Sequence, residues 1–297
     1  MAATRGRWAG AVLALACALA LTACAAQREP MIPGQHAAVI PDEVTVELIQ
    51  LRSDVAARQV QLRITNGSDD PLTVGDVTVD DPRFRDDITR VLERTSTIPA
   101  GGQVDIRLQL PAVECPSPPD GEVVVEAALE LIVAGDPAIA VTPLTDPLDV
   151  IGPLHERECR AEALTDAASI AFTGFEPSPP GEPATLELTV TPTGDAAATV
   201  AGIQTTNLLT FGSADTTAET YPIDLDVAPG DREAVVIALP LVPLRCDAHA
   251  VQEDKRGTIF DVEVAVDGEP GEIELAAPED LRGRILTWVA EWCGFGG

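Results

Sequence analysis

From Val44 onward, apolar and polar side chains alternate at a period of two, the spacing of strands that bury one face. Val44, Val46, Leu48 and Ile49 open the first run. Val60, Leu62 and Ile64 alternate with Gln61, Arg63 and Thr65 in the second. Asn66-Gly67-Ser68-Asp69-Asp70-Pro71 is a dense turn signal, and Leu72 to Val79 follows as a third strand. Asp86 to Arg94 reads as a short helix or an irregular crossing. Pro99-Ala100-Gly101-Gly102 turns the chain into Val104, Ile106, Leu108 and Leu110. Val123 to Val133 is the longest apolar strand, and Ala138 to Val141 and Leu148 to Ile151 complete the set. About seven short strands separated by turns predict an antiparallel sandwich.

The second half repeats the plan. Ser169 to Phe172, Ala184 to Val190, Val200 to Thr205 and Ile223 to Val227 read as strands. Ala228-Pro229-Gly230-Asp231 then stands where Pro99-Ala100-Gly101-Gly102 stood. The next strand, Ala234 to Leu239, ends in Leu239-Pro240 and reaches Cys246, as the earlier one ends in Leu110-Pro111 and reaches Cys115. Thr258 to Val266 runs to a Gly turn, as Val123 to Val133 does. Cys159 follows Cys115 by 44 residues, and Cys293 follows Cys246 by 47. Turn, strand, Leu-Pro, Cys, long strand, Gly turn and Cys recur in order, an internal repeat of roughly 120 residues. The C-terminus differs. Pro278-Glu279-Asp280 suits the start of a helix, and Leu281, Ile285, Trp288, Val289 and Trp292 share one face before Cys293-Gly294 ends it. That apolar face is expected to pack on the second domain; a ligand or membrane surface is the other reading of its tryptophans.

The chain therefore divides into residues 1–23, a leader; 24–42, a Pro-containing tether; 43–160, a first β-sandwich; and 161–297, a second β-sandwich with a C-terminal α-helix. The expected class is all-β, two tandem antiparallel sandwiches. Cys115, Cys159, Cys246 and Cys293 allow three pairings, of which the repeat selects Cys115–Cys159 and Cys246–Cys293. Each would contribute roughly 3–4 kcal/mol. No pair has C-x-x-C spacing, so no metal is expected on the cysteines.

The leader carries Arg5 and Arg7, then an apolar stretch from Ala9 to Leu21. That stretch falls short of the roughly 20 residues a membrane span needs and suits an export signal. Leu21-Thr22-Ala23-Cys24 resembles the lipobox of bacterial lipoproteins. The resemblance implies cleavage before Cys24, acylation of its thiol, and anchoring on the extracytoplasmic face of the cell membrane. An ordinary secretory cleavage nearby is the alternative. The tandem sandwiches are similar in architecture to the immunoglobulin-like domains of bacterial surface lipoproteins. They lack an early-strand cysteine and a third-strand tryptophan, and Phe84 is the one aromatic of the first domain, which excludes an antibody-type domain. No activity follows from the resemblance.

A formal net charge of −29 excludes nucleic acid as a partner and disfavours anionic headgroups. Lys255 is the single lysine; with abundant Ala and Val this suggests a GC-rich genome, such as an actinobacterial one. No G-x-S-x-G, H-E-x-x-H, S-x-x-K or phosphate loop occurs, so no enzyme and no cofactor are expected. Of three histidines, His36 lies in the tether, and His155 at the domain junction is expected on the surface. His249 lies in Cys246-Asp247-Ala248-His249-Ala250-Val251-Gln252-Glu253-Asp254-Lys255-Arg256, a segment without counterpart in the first copy. One helical turn would align His249 with Glu253. Asp247, His249, Glu253, Lys255 and Arg256 are therefore the candidate binding residues; a solvated connection with a Glu253–Arg256 ion pair is the plainer reading. The acids from Asp69 to Asp87 lack the order of a calcium loop. The expectation is a non-catalytic binding, spacer or assembly module, held to the membrane by lipid and meeting an unidentified envelope protein. The alternative is metal or solute binding through the Asp247–Arg256 loop.

Overall fold

Val60, Leu62 and Ile64 are fully buried, as their period-two spacing demands, and they form the middle of the first core. The computed structural model describes residues 36–115, 124–213, 216–217, 219–253 and 256–295. The first sandwich comprises β1 (His36–Ala37), β2 (Val44–Ile49), α1 (Arg52–Val55), β3 (Gln59–Asn66), β4 (Leu72–Asp80), β5 (Ile88–Arg90), β6 (Ser96–Ile98), β7 (Gln103–Gln109), β8 (Glu126–Val133) and β9 (Asp136–Pro143). The sheet order is β1-β9-β8-β4-β5-β7-β3-β2, with β6 on β4. β5 is the corner: it pairs with β4 through Thr78–Thr89 and with β7 through Arg90–Leu108. One sheet thus passes from one layer to the other, and Val74, Val79, Leu129 and Leu131 meet Leu62, Ile64, Ile106 and Leu108 in a single core.

The segment read as a short helix or crossing, Asp86 to Arg94, contains that corner strand. Asn66-Gly67-Ser68 is a structural turn. The Asn66 side chain is buried, and its Nδ2 donates to the carbonyls of Asp70 (2.9 Å), Ile98 (3.1 Å) and Pro99 (3.2 Å). Asp81, counted among the acids that could have faced calcium, is buried in a bidentate pair with Arg83 (2.9 and 2.8 Å).

Leu148 to Ile151 was expected as a closing strand and is instead a turn leading into α2 (Ile151–Leu164). Asp146 Oδ2 accepts from the backbone N–H groups of Val150 (2.8 Å) and Ile151 (3.0 Å), which caps the unpaired donors of the first turn. Pro153, early in the helix, costs it little. The expected domain boundary after residue 160 falls inside this helix.

The second sandwich comprises β10 (Ala168–Glu176), β11 (Ala184–Pro192), β12 (Ala198–Gln204), β13 (Leu209–Ser213), β14 (Thr216–Thr217), β15 (Thr220–Val227), β16 (Val235–Pro243), α3 (Ala248–Glu253), β17 (Ile259–Val266), β18 (Glu269–Ala276) and α4 (Glu279–Trp292). Its sheets run β10-β11-β16-β13-β14 and β15-β12-β17-β18. Leu186, Leu188 and Leu239 from one sheet share a core with Val200, Phe260 and Val262 from the other. Phe260 meets Phe172 edge-on at 5.1 Å between centroids. β13 and β18 were not foreseen from the sequence. The architecture is all-β: two tandem antiparallel immunoglobulin-like sandwiches with a C-terminal helix.

α4 buries Leu281, Ile285, Trp288 and Val289. Trp288 stacks edge-on against Phe175 at 5.6 Å and donates its Nε1–H to Ser178 O (3.0 Å); Trp292 donates to Glu182 O (3.1 Å). The tryptophan stripe is packing. Disulfides join Cys115 to Cys159 and Cys246 to Cys293, the pairs that the repeat selects. The first ties α2 to the end of the first sandwich, and the second ties the C-terminus of α4 to the segment after β16.

Candidate functional site

The segment with the candidate histidine folds into α3, as its spacing allowed. Asp247 Oδ1 accepts from the His249 backbone N–H (2.9 Å), and Val251, two residues on, is buried. Asp247 thus serves the helix start, and the side chains of Asp247 and His249 are exposed. Cys24, Lys255 and the Glu253 side chain lie outside what the structure describes. Arg256 pairs with Glu274 on β18 (2.5 Å), and the expected Glu253–Arg256 pair lies outside the described residues. Among the described residues, the one close group of three metal-type donors is Cys115, His155 and Cys159, and its two sulfurs are joined as a disulfide. His155, expected at the surface, is buried. Its Nε2 lies 2.9 Å from Glu114 O and 3.5 Å from Cys159 Sγ, so the ring fills the space beneath the bridge.

Arg256 leads to the more promising place. It lines a cavity of about 480 Å³ with walls from both sandwiches and from α2. Ala56 and Arg58 belong to the first sandwich, Leu154 and Glu158 to α2, and Ile259, Asp261 and Glu274 to the second sandwich. The cavity exists because α2 belongs to both halves. One face is held to the first sandwich by buried Ile151 and His155 and by Cys159. The other lies on β17–β18, where Arg160 donates to Glu272 O (3.1 Å). Gly271 permits this approach, since a Cβ there would overlap the Arg160 guanidinium.

Arg58 is the pivot on the first-sandwich side. Its backbone is left-handed (φ 51°), an uncommon state for a non-glycine residue. In that conformation its carbonyl accepts from the Leu110 N–H (3.0 Å), and its Nη2 reaches both Pro111 O and Glu158 Oε2 at 2.8 Å. Across the cavity, Arg157 (3.6 Å) and Arg256 (2.5 Å) both pair with Glu274. Three arginines and three carboxylates therefore line the cavity, but the pairing leaves Asp261 out. Its carboxylate makes no hydrogen bond or ion pair among the described residues, while Glu274 stands directly opposite across the β17–β18 pair. Burial raises the Asp261 pKa first, Glu274 and Glu272 raise it further, and Arg256 and Arg157 offset part of this. Burial also raises the pKa of Glu158, against the pull of Arg58.

No family model matches the chain, and no curated protein matches it. Solved structures similar to it include three chaperones. The YadV chaperone is 18% identical, with 78% of this chain and 97% of that chain covered and a TM-score of 0.23. The periplasmic chaperone SfaE is 14% identical, with 79% and 98% covered and a TM-score of 0.23. The E. coli chaperone DraB is 13% identical, with 82% and 98% covered and a TM-score of 0.24. At these identities and superposition scores the likenesses carry no inference about activity.

Proposed function

We propose that this chain is a non-catalytic, lipid-anchored binding module of the bacterial cell envelope, working on the extracytoplasmic face of the membrane. The observation that carries the reading is the cavity at the sandwich junction. A single helix is stapled to one sandwich and laid on the other, leaving a charged, half-apolar cleft of a size that suits small ligands or a partner's side chains. Two disulfides support an oxidising compartment. The Leu21-Thr22-Ala23-Cys24 stretch supports acylation at Cys24. The acidic surface supports a soluble module held off an anionic bilayer.

Photo-crosslinking in cells tests the site. A crosslinking side chain at Ala56 or at Ala276, both exposed and both on the cavity wall, should capture the same species. The same side chain at Val236, which is exposed and does not line the cavity, should not. No adduct from either wall, or an equal adduct from Val236, contradicts the reading.

A further inference from the structure

Asp261 is the one charged side chain lining the junction cavity that has no partner within ion-pair distance among the described residues. The arginines nearby are committed elsewhere: Arg58 to Glu158 and Pro111 O, Arg157 and Arg256 to Glu274. Val55, Leu154 and Ile259 give the same cavity an apolar part beside its charged groups. A half-buried carboxylate is costly without a counter-ion, and more so with another carboxylate directly opposite. An anion without an ion-pair partner in a half-apolar cleft is the complement of a cation on an apolar stem.

We propose that the cavity binds an organic cation, an alkylammonium or guanidinium group carried on an aliphatic stem, with Asp261 as its counter-ion. The stem lies against Leu154 and Ile259 while the charge meets the carboxylate. The net charge of −29 draws cations toward the molecule as a whole. The same chemistry comes from a free amine or from a lysine or arginine side chain of a peptide. This inference rests on the cavity being the binding site and not on the lipid anchor.

The experiment is methyl NMR on the full chain in detergent, following Leu154 and Ile259, with three probes: n-pentylammonium, the blocked peptide Ala-Leu-Lys-Leu-Ala, and hexanoate. Saturable shifts with either cation, weakened at least tenfold in Asp261→Asn, are expected. Asp261→Asn removes a like-charge contact and keeps the side-chain shape, so it should fold as well as the parent. Shifts with pentylammonium alone assign the ligand to small amines; shifts with the peptide as well admit a protein side chain. Cation binding unchanged in Asp261→Asn overturns the proposal. Shifts with hexanoate alone overturn the cation assignment and leave the cavity a binding site. No shift with any probe overturns both.

Discussion

Asp261 on β17 stands directly across from Glu274 on β18, and both arginines within reach of that pair are bound to Glu274. Like charges opposed across an antiparallel pair destabilise it. Asp261→Asn should therefore raise stability at neutral pH, by about 0.5 kcal/mol once solvent screening is allowed for. The sign has a pH signature. The folded state raises the Asp261 pKa, so it holds the proton more tightly than the unfolded chain does. Below the unfolded pKa the parent and the variant should be equally stable. As pH rises through the folded pKa the parent falls behind. Urea denaturation of both proteins across the acid range checks this, and a gap that widens toward low pH contradicts it.

Arg58 holds its left-handed backbone so that its side chain can bridge Pro111 O and Glu158. Truncation should separate the two costs. Arg58→Ala loses the bridge and keeps the backbone strain, whereas Arg58→Gly loses the bridge and relieves the strain. Arg58→Gly should be more stable than Arg58→Ala by about 1 kcal/mol, the reverse of the order in a helix. Thermal melts of the two variants decide it; equal melting would mean that the backbone at Arg58 is unstrained.

Non-reducing peptide mapping should recover Cys115 linked to Cys159 and Cys246 linked to Cys293. Replacing Cys246 and Cys293 together with Ala should lower stability by roughly 3–4 kcal/mol, because a long loop closure is returned to the unfolded chain. A peptide joining Cys115 to Cys246 would break both the repeat and the structure.

Trp288 is buried against Phe175 and hydrogen-bonded to Ser178, whereas Trp292 on the next turn is half-exposed. Trp288→Ala should cost about 3–5 kcal/mol, and Trp292→Ala clearly less. Chemical denaturation of the two variants measures the difference. Equal losses would contradict the burial asymmetry of α4.

Most strands were legible from the alternation that one buried face imposes. Val60, Leu62 and Ile64, and likewise Val262 and Val264, announce themselves by alternation because the residues between them, Gln61, Arg63 and Glu263, are polar or charged. The cysteine pairs were legible because the repeat fixed their order. α2 was not. Leu148 to Ile151 looks like a strand end, and the helix that follows has five charged residues among fourteen and no single apolar stripe, because its buried contacts are divided between the two sandwiches. β18 escaped notice for a related reason: Glu269 to Ala276 carries Pro270, Gly271 and three acids on a strand whose outer side is covered by α2. The junction cavity depends on both of these elements. Arg58, Glu158, Asp261 and Glu274 are far apart in sequence, and only the placement of α2 brings them together. His249 sits in the loop without a counterpart in the first copy, but among the described residues of that loop the one lining the cavity is Arg256.

The proposed role at the membrane surface depends on a lipid at Cys24. Cells grown with labelled palmitate test it most directly, comparing the parent chain with Cys24→Ala. The parent should carry label and sediment with the membrane, and Cys24→Ala should carry none and be released from it. A parent chain that is secreted unlabelled, or a Cys24→Ala chain that keeps its label, would contradict the lipid anchor and with it the proposed role at the membrane surface.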